Sequence, residues 1–348
     1  MDLSVVAASR NDDHGGKLLS RMQYFVSGFI EQCKRHDLKA ELILVEWNPP
    51  KDKPLLRDAL VFPKDLGPCN VRIITVPENV HQTIKHSSSL PLFQMIAKNV
   101  GIQRAKGRFV LATNIDILFS DPLIHSLKHK LRSGRLYRAN RLDIPSDLPK
   151  IIPFDSLLDF CHSHYFRIHH RNGSKVLKDN KWGYIDSQLN HYSTKLYAWK
   201  DKLEALKHLP SSSVFQKLYL RLRYRAHTNA CGDFTLLAKS DWETVRGYPE
   251  FEGFSWHLDS LLVYQALKQG LKQVILPSDN VIYHIEHLQG SGYTPETPKL
   301  VFEKIEKKRI PCIDDNALIQ KISALKKPYL YNGSNWGFGL HSFDEVQF

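Results

Sequence analysis

Two groups of polar residues have the types and spacing to do chemistry. Asn114-Ile115-Asp116 follows the apolar run Arg108–Thr113. Residues two apart on an extended chain face the same side, so Asn114 and Asp116 can present oxygens together. A hard divalent cation or the metal-bound face of a diphosphate wants that arrangement, although the same three residues can also cap a turn. Far downstream lie Asn229-Ala-Cys-Gly232-Asp233, Gly247-Tyr-Pro-Glu250, Trp256-His-Leu-Asp259 and Tyr283-His284-Ile-Glu-His287. Asp259 opens a helical pattern, where it can serve as a rigidly held general base or merely complement the helix dipole. The Trp256 indole can stack on a ligand ring or sit in the core. His284 and His287 are two late histidines, each more often structural than a ligand when met singly. Strand alternation sets His284 with Glu286 on one face and His287 on the other, which predicts that only one of the two points into a site.

The elements that must position these residues can be read from periodicity. Leu3–Ala8, Glu41–Glu46, Val71–Val76 and Arg108–Thr113 are strand-length apolar runs. They are separated by helical patterns over Lys17–Arg35 and Leu92–Arg104. Strands alternating with helices imply a parallel sheet that binds ligands beyond the strand C-terminal ends. Phe234–Ala238, Val274–Leu276 and Val281–Ile285 read as later strands, and Ser240–Val245 and Leu258–Gln269 as helices. The glycine-rich Asn335-Trp336-Gly337-Phe338-Gly339 reads as a mobile lid or a packed strap.

Composition bounds the rest. The chain has 348 residues, 42% of them apolar and 24% charged, so it can bury a large core. Its net charge of +12 favours anionic partners. Five cysteines without C-x-x-C spacing argue against a disulfide framework or a zinc knuckle and for a reducing compartment. No apolar stretch reaches the length of a membrane span, which leads us to expect a cytoplasmic protein. Between Cys161 and Ala230 there are 13 Lys/Arg against 4 Asp/Glu, with seven histidines. That stretch reads as a basic, aromatic insertion outside the sheet. It suits an acidic glycan, a lipid-diphosphate acceptor or a membrane interface, or it is a solvated basic face.

The helix-Gly-strand-Asn114-Ile-Asp116 run, together with Ser9-Arg10-Asn11 and Glu46 at successive strand ends, resembles the nucleotide-diphosphosugar glycosyltransferases of the GT-A fold. The ordered downstream segments are similar to the acceptor half of their family-2 and galactosyltransferase-like members. The resemblance covers about residues 3 to 120 and 229 to 290. It implies an α/β fold with a GT-A (Rossmann-like), mostly parallel central sheet flanked by helices. Its organisation would be a nucleotide-sugar half over 1–120, an acceptor half over 121–290 that contains the insertion at about 140–228, and a C-terminal extension over 291–348. The sequence departs from the family in carrying Asn114 where the first Asp of Asp-x-Asp stands.

Carried onto this chain, the resemblance implies that Ala8, Arg10 and Glu46 surround the nucleoside and that Asn99 lies near the nucleotide. Asp116 would ligate Mn²⁺ or Mg²⁺ with His287 or His284, and Asn114 would act through water or a sugar hydroxyl. Trp256 and Asp233 would bind acceptor, and Asp259 would deprotonate its hydroxyl in an inverting transfer from a nucleoside-diphosphate sugar, UDP-sugar favoured, to a glycan or glycolipid. A basic nucleic-acid-binding protein and a catalytically degenerate sugar-nucleotide binder are the competing readings. The first leaves Asn114-Ile-Asp116 and Trp256/Asp259 unexplained, so no nucleic-acid partner is expected.

Overall fold

The computed structural model describes residues 1–149, 152–185, 226–287, 299–324 and 329–348. Strands β1 (Leu3–Ser9), β2 (Ala40–Trp47) and β4 (Phe109–Thr113) are buried along their whole length. That is the condition of strands covered on both faces, and it explains why they appear in the sequence as unbroken apolar runs. Leu3, Val5 and Ala7 of β1 pack with Met22, Phe25 and Phe29 of helix α1 (Leu18–His36) on one face. Val6 and Ala8 pack with Ile96, Ala97 and Val100 on the other. The further helices are α2 (Leu56–Ala59), α3 (Glu78–His81), α4 (Gln94–Arg104), α5 (Asp121–His129), α6 (Phe154–His164), α7 (Lys239–Val245), α8 (Leu258–Lys268), α9 (Lys299–Lys307) and α10 (Asp315–Ala324).

The larger sheet has eight strands in the order β12-β6-β11-β4-β1-β2-β3-β14, with β3 (Cys69–Val76), β6 (Arg135–Arg138), β11 (Phe234–Ala238), β12 (Lys272–Ile275) and β14 (Asp344–Gln347). The β3-β2-β1-β4 core is parallel throughout and Rossmann-like, as expected. β11 runs antiparallel to both β4 and β6, and β14 antiparallel to β3, so the sheet is mixed.

A second, six-stranded sheet runs β10-β9-β8-β7-β13-β5, from β5 (Ile117–Phe119), β7 (Asn140–Ile144), β8 (Arg167–His170), β9 (Gly173–Lys178), β10 (Lys181–Tyr184) and β13 (Val281–Ile285). The described front part of the basic aromatic stretch supplies three consecutive strands of this second sheet, which also carries His284, and no strand of the larger one. Its Arg167 and His169 are core-facing and satisfied by a buried carboxylate, Asp143. The alternating run from Lys217 to Arg225 lies outside the described residues.

Of the two readings of the glycine-rich C-terminal segment, lid or strap, the structure shows a packed strap. The Arg104 guanidinium donates to the carbonyls of Gly337, Phe338 and His341 at 2.9, 2.8 and 2.7 Å. Gly337 N donates to Glu250 Oε1 at 2.6 Å, Trp336 is buried, and β14 closes one edge of the larger sheet. All five cysteines are free thiols, and no described helix is long and apolar enough to cross a membrane.

Candidate metal centre

Asp116 stands between the end of β4 and the start of β5, and β5 pairs antiparallel with β13 so that Ile117 faces His284. Ile285 N donates to the Asp116 carbonyl at 2.9 Å, which fixes the two segments in register. Side chains then converge. Asp116 Oδ2 lies 3.2 Å from His287 Nε2 and 3.8 Å from His284 Nε2, and one atom from each residue falls within 4.8 Å of the others. Both histidines therefore face Asp116. The expected separation onto opposite faces fails because β13 ends at Ile285, and beyond it the chain no longer alternates.

Arg21, on the second turn of α1, donates from Nη1 to Asp116 Oδ2 at 2.8 Å and from Nη2 to the carbonyls of His14 and Gly16. The loop before α1 thus packs onto the site. Gly15 adopts φ +76°, and a Cβ there would come within 2.9 Å of His287 Nδ1. Burial alone would raise the Asp116 pKa, but the His284 and His287 imidazoles and the Arg21 guanidinium outweigh it and hold the carboxyl well below the ordinary range. His284 is pulled down by burial and by Arg141, yet Asp116 and Asp143 raise it overall.

A divalent cation fits these residues. Asp116 Oδ1 and His287 Nδ1 are buried without a hydrogen-bond partner, and one carboxylate with two imidazoles is a donor set suited to Mn²⁺ or another first-row ion. Mg²⁺, which prefers an all-oxygen shell, suits it less.

Asn114 occupies a different position from the one expected. Its Oδ1 accepts from Lys98 Nζ at 2.7 Å and from Gln94 Nε2 at 2.9 Å, and its Nδ2 donates to Asp233 Oδ1. With both ends of the amide engaged by protein, Asn114 is a structural link beside the centre. Asp233 is brought there by the β11–β4 register, Phe234 opposite Thr113, and its Oδ2 accepts from Arg141 Nη1 at 2.5 Å. Lys98 is fully buried. Its Nζ donates to Asn114 Oδ1 and the Gly232 carbonyl, and desolvation lowers its pKa to about 8 against the opposing pull of the negative charges on Asp233, Asp259 and Asp116.

Asp259 lies in the first turn of α8, and its Oδ1 accepts from Ser260 N at 2.7 Å. Its Oδ2 is 3.1 Å from where a Cβ on Gly232 would be, so a glycine at 232 admits the carboxylate. Trp256 is half-buried, edge-on to Phe302 with ring centroids 5.2 Å apart.

The residues expected around a nucleoside divide. Ser9 pairs with Glu46 at the end of the parallel strands, which brings Ala8, Arg10 and Glu46 to one end of the sheet. Glu46 Oε1 accepts from Leu56 N at 2.9 Å, while Oε2 is buried without a partner, and burial raises the carboxyl to about 7. Arg10 Nε is likewise buried and unpartnered. Asn99 is a correction. It is fully buried, and its amide binds Tyr248 N, Tyr248 O and Glu250 Oε1, so it pins the Gly247–Glu250 turn to α4 and offers nothing to a ligand.

Sequence reasoning missed Arg21, Lys98, Arg141 and Asp143. Gln94 and Lys98 stand four apart on one helix face, a polar pair on an otherwise buried helix, and that spacing was a usable signal. Arg21 gave none, since its partner Asp116 comes from a distant element, and Asp143 gave only the i, i+2 charge pair with Arg141 on one strand.

No protein-family model matches the chain, and no curated protein does. Among solved structures it is similar to the crystal structure of GalNAc-T7 with UDP, GalNAc and Mn²⁺, at 13% identity and a TM-score of 0.48, over 94% of this chain and 55% of that one. The chain thus spans about half the length of that protein.

Proposed function

We propose that the chain is a metal-dependent glycosyltransferase that takes a nucleoside-diphosphate sugar, with a UDP-sugar as the favoured donor. The observation that carries the reading is the convergence of Asp116, His284 and His287 just beyond the C-terminal end of β4, where open α/β sheets bind their ligands. Those three residues hold the ion. Its chemical contribution is to neutralise charge growing on the departing diphosphate.

The chain's own residues account for the remainder. Asp259 takes the proton of an acceptor hydroxyl as it attacks the sugar, which implies inversion. Trp256 offers a ring face to the acceptor. Glu46 Oε2 and Arg10 Nε, both buried and unpartnered, supply an acceptor and a donor for the nucleoside. The acceptor is a glycan or glycolipid, and the basic stretch around Cys161–Ala230 meets an anionic acceptor or membrane surface on the cytoplasmic side.

A thermal-shift panel of UDP-, GDP- and dTDP-sugars, with and without Mn²⁺, tests the reading on wild type and Asp116→Ala. Ligand at a hundred times its Kd adds about 2.7 kcal/mol of stability, so no acceptor need be known. We expect a Mn²⁺-dependent rise with one nucleotide that is lost in the variant. No rise with any donor, in protein shown to be folded by circular dichroism, sinks the sugar-nucleotide reading.

A further inference from the structure

We infer that Asp143 is the positioning residue of the metal centre, setting the His284 imidazole so that Nε2 carries the lone pair offered to the ion. The inference rests on the metal reading above. It comes from the register of three adjacent strands, in which His284 of β13 pairs with Asp143 of β7 on one side and with Ile117, next to Asp116, on the other. The two ring nitrogens consequently face two different carboxylates. His284 Nδ1 is 3.2 Å from Asp143 Oδ1, and Nε2 is 3.8 Å from Asp116 Oδ2.

An ionised carboxylate only accepts hydrogen bonds, and a neutral imidazole has one N–H to give. Neither His284 Nδ1 nor Asp143 Oδ1 has another hydrogen-bond partner, and at 3.2 Å Asp143 is the acceptor placed to take that N–H once the ring aligns, which leaves Nε2 as the ligand atom on the side of Asp116. Fixing the tautomer of a ligating histidine through its second nitrogen is a general means of raising metal affinity.

Asp143 is held in the acceptor state by its surroundings. Its side chain is wholly buried, Arg141 Nε lies 2.8 Å from Oδ1, and Arg167 Nη1 and His169 Nε2 lie 2.7 and 3.0 Å from Oδ2. The two guanidiniums also explain why Asp143 is not itself a ligand. Asp143, His284 and Glu286 are near enough to hold an ion. Yet Arg167 Nη1 bridges Asp143 and Glu286 at 2.7 Å each and Arg141 faces Asp143 as well, so both carboxylates of that group are engaged by guanidiniums, whereas Arg21 takes only Oδ2 of Asp116 and leaves Oδ1 without a partner.

Mn²⁺ titrations followed by electron paramagnetic resonance, on the full chain as wild type, Asp143→Asn, His284→Ala and the double variant, test the inference. Asp143→Asn is expected to weaken Mn²⁺ binding by about 10- to 100-fold. That loss should largely vanish in the His284→Ala background, because Asp143 acts through that ring. Unchanged affinity in Asp143→Asn overturns the inference and leaves the metal reading standing, as does a loss of equal size with His284 already removed.

Should Asp143→Asn not fold, ¹⁵N-imidazole spectra of wild type with Zn²⁺ decide instead. A proton on His284 Nδ1 with the metal shift on Nε2 supports the assignment, and the opposite tautomer overturns it. Folded wild type that binds neither Mn²⁺ nor Zn²⁺ fails at the earlier step and removes both readings.

Discussion

Glu46 illustrates how a single buried carboxyl reports on its surroundings. Its ordinary pKa of 4.5 is raised to about 7 by burial, so the folded chain binds a proton there that the unfolded chain has already lost. The folded state is therefore favoured below pH 4.5 and loses that advantage as pH rises towards 7. Over that interval the change is at most about 3 kcal/mol, since one pKa unit corresponds to about 1.4 kcal/mol. Urea unfolding at pH 5 and pH 8 should show that slope in wild type and a flatter one in Glu46→Gln. At Asp116 the expectation is simpler. Asp116→Asn keeps shape but removes the charge that two imidazoles face, and Mn²⁺ affinity measured by calorimetry should fall at least 100-fold. The residues with chemistry in their side chains, Asp116, His284, His287 and Asp259, were visible in the sequence by type and spacing. Their supports were mostly not, because Lys98 meets Asn114 and Gly232, and Arg141 meets Asp233, only after separate elements have packed.

At the scale of elements, the parallel strands could be read from their unbroken apolar runs, α1 from its helical period, and α4 and α8 from apolar runs followed by Gly107 and Gly270. What could not be read was where alternation stops. One residue of strand more or less decides whether His287 faces Asp116, and strand ends are set by pairing partners as much as by local preference. The turn into β11 offers a test of element placement. In Gly232→Ala a methyl group would sit 3.1 Å from Asp259 Oδ2, so the carboxylate must shift by a few tenths of an ångström. We expect a roughly tenfold fall in kcat in a transfer assay, with Tm nearly unchanged. The strap offers another. Arg104→Ala removes the donors to three carbonyls, which should cost about 2 kcal/mol in urea unfolding and open residues 329–348 to proteolysis.

Across the whole molecule, the second sheet was the feature least accessible from the sequence. Its strands come from residues 117–119, 140–184 and 281–285, and short strands far apart in the chain carry little signal of mutual pairing. The larger sheet raises a matter of edges. β14 covers β3, with Arg72 bonded to Glu345 at 2.7 and 3.0 Å, and Phe348 stacks on Phe62. Deleting residues 342–348 should expose the β3 edge and produce concentration-dependent self-association, measurable by light scattering coupled to size exclusion.

The pairing of β14 with β3 also bears on the order in which the chain can assemble. Arg72 has two carboxylate partners, Glu41 from the adjacent strand and Glu345 from nearly three hundred residues later. During synthesis the first is available early and the second only after residue 345 has left the ribosome. The parallel core must therefore wait with one edge open and the Arg72 fork half-satisfied for most of translation, so the period before completion is when this chain most needs a chaperone.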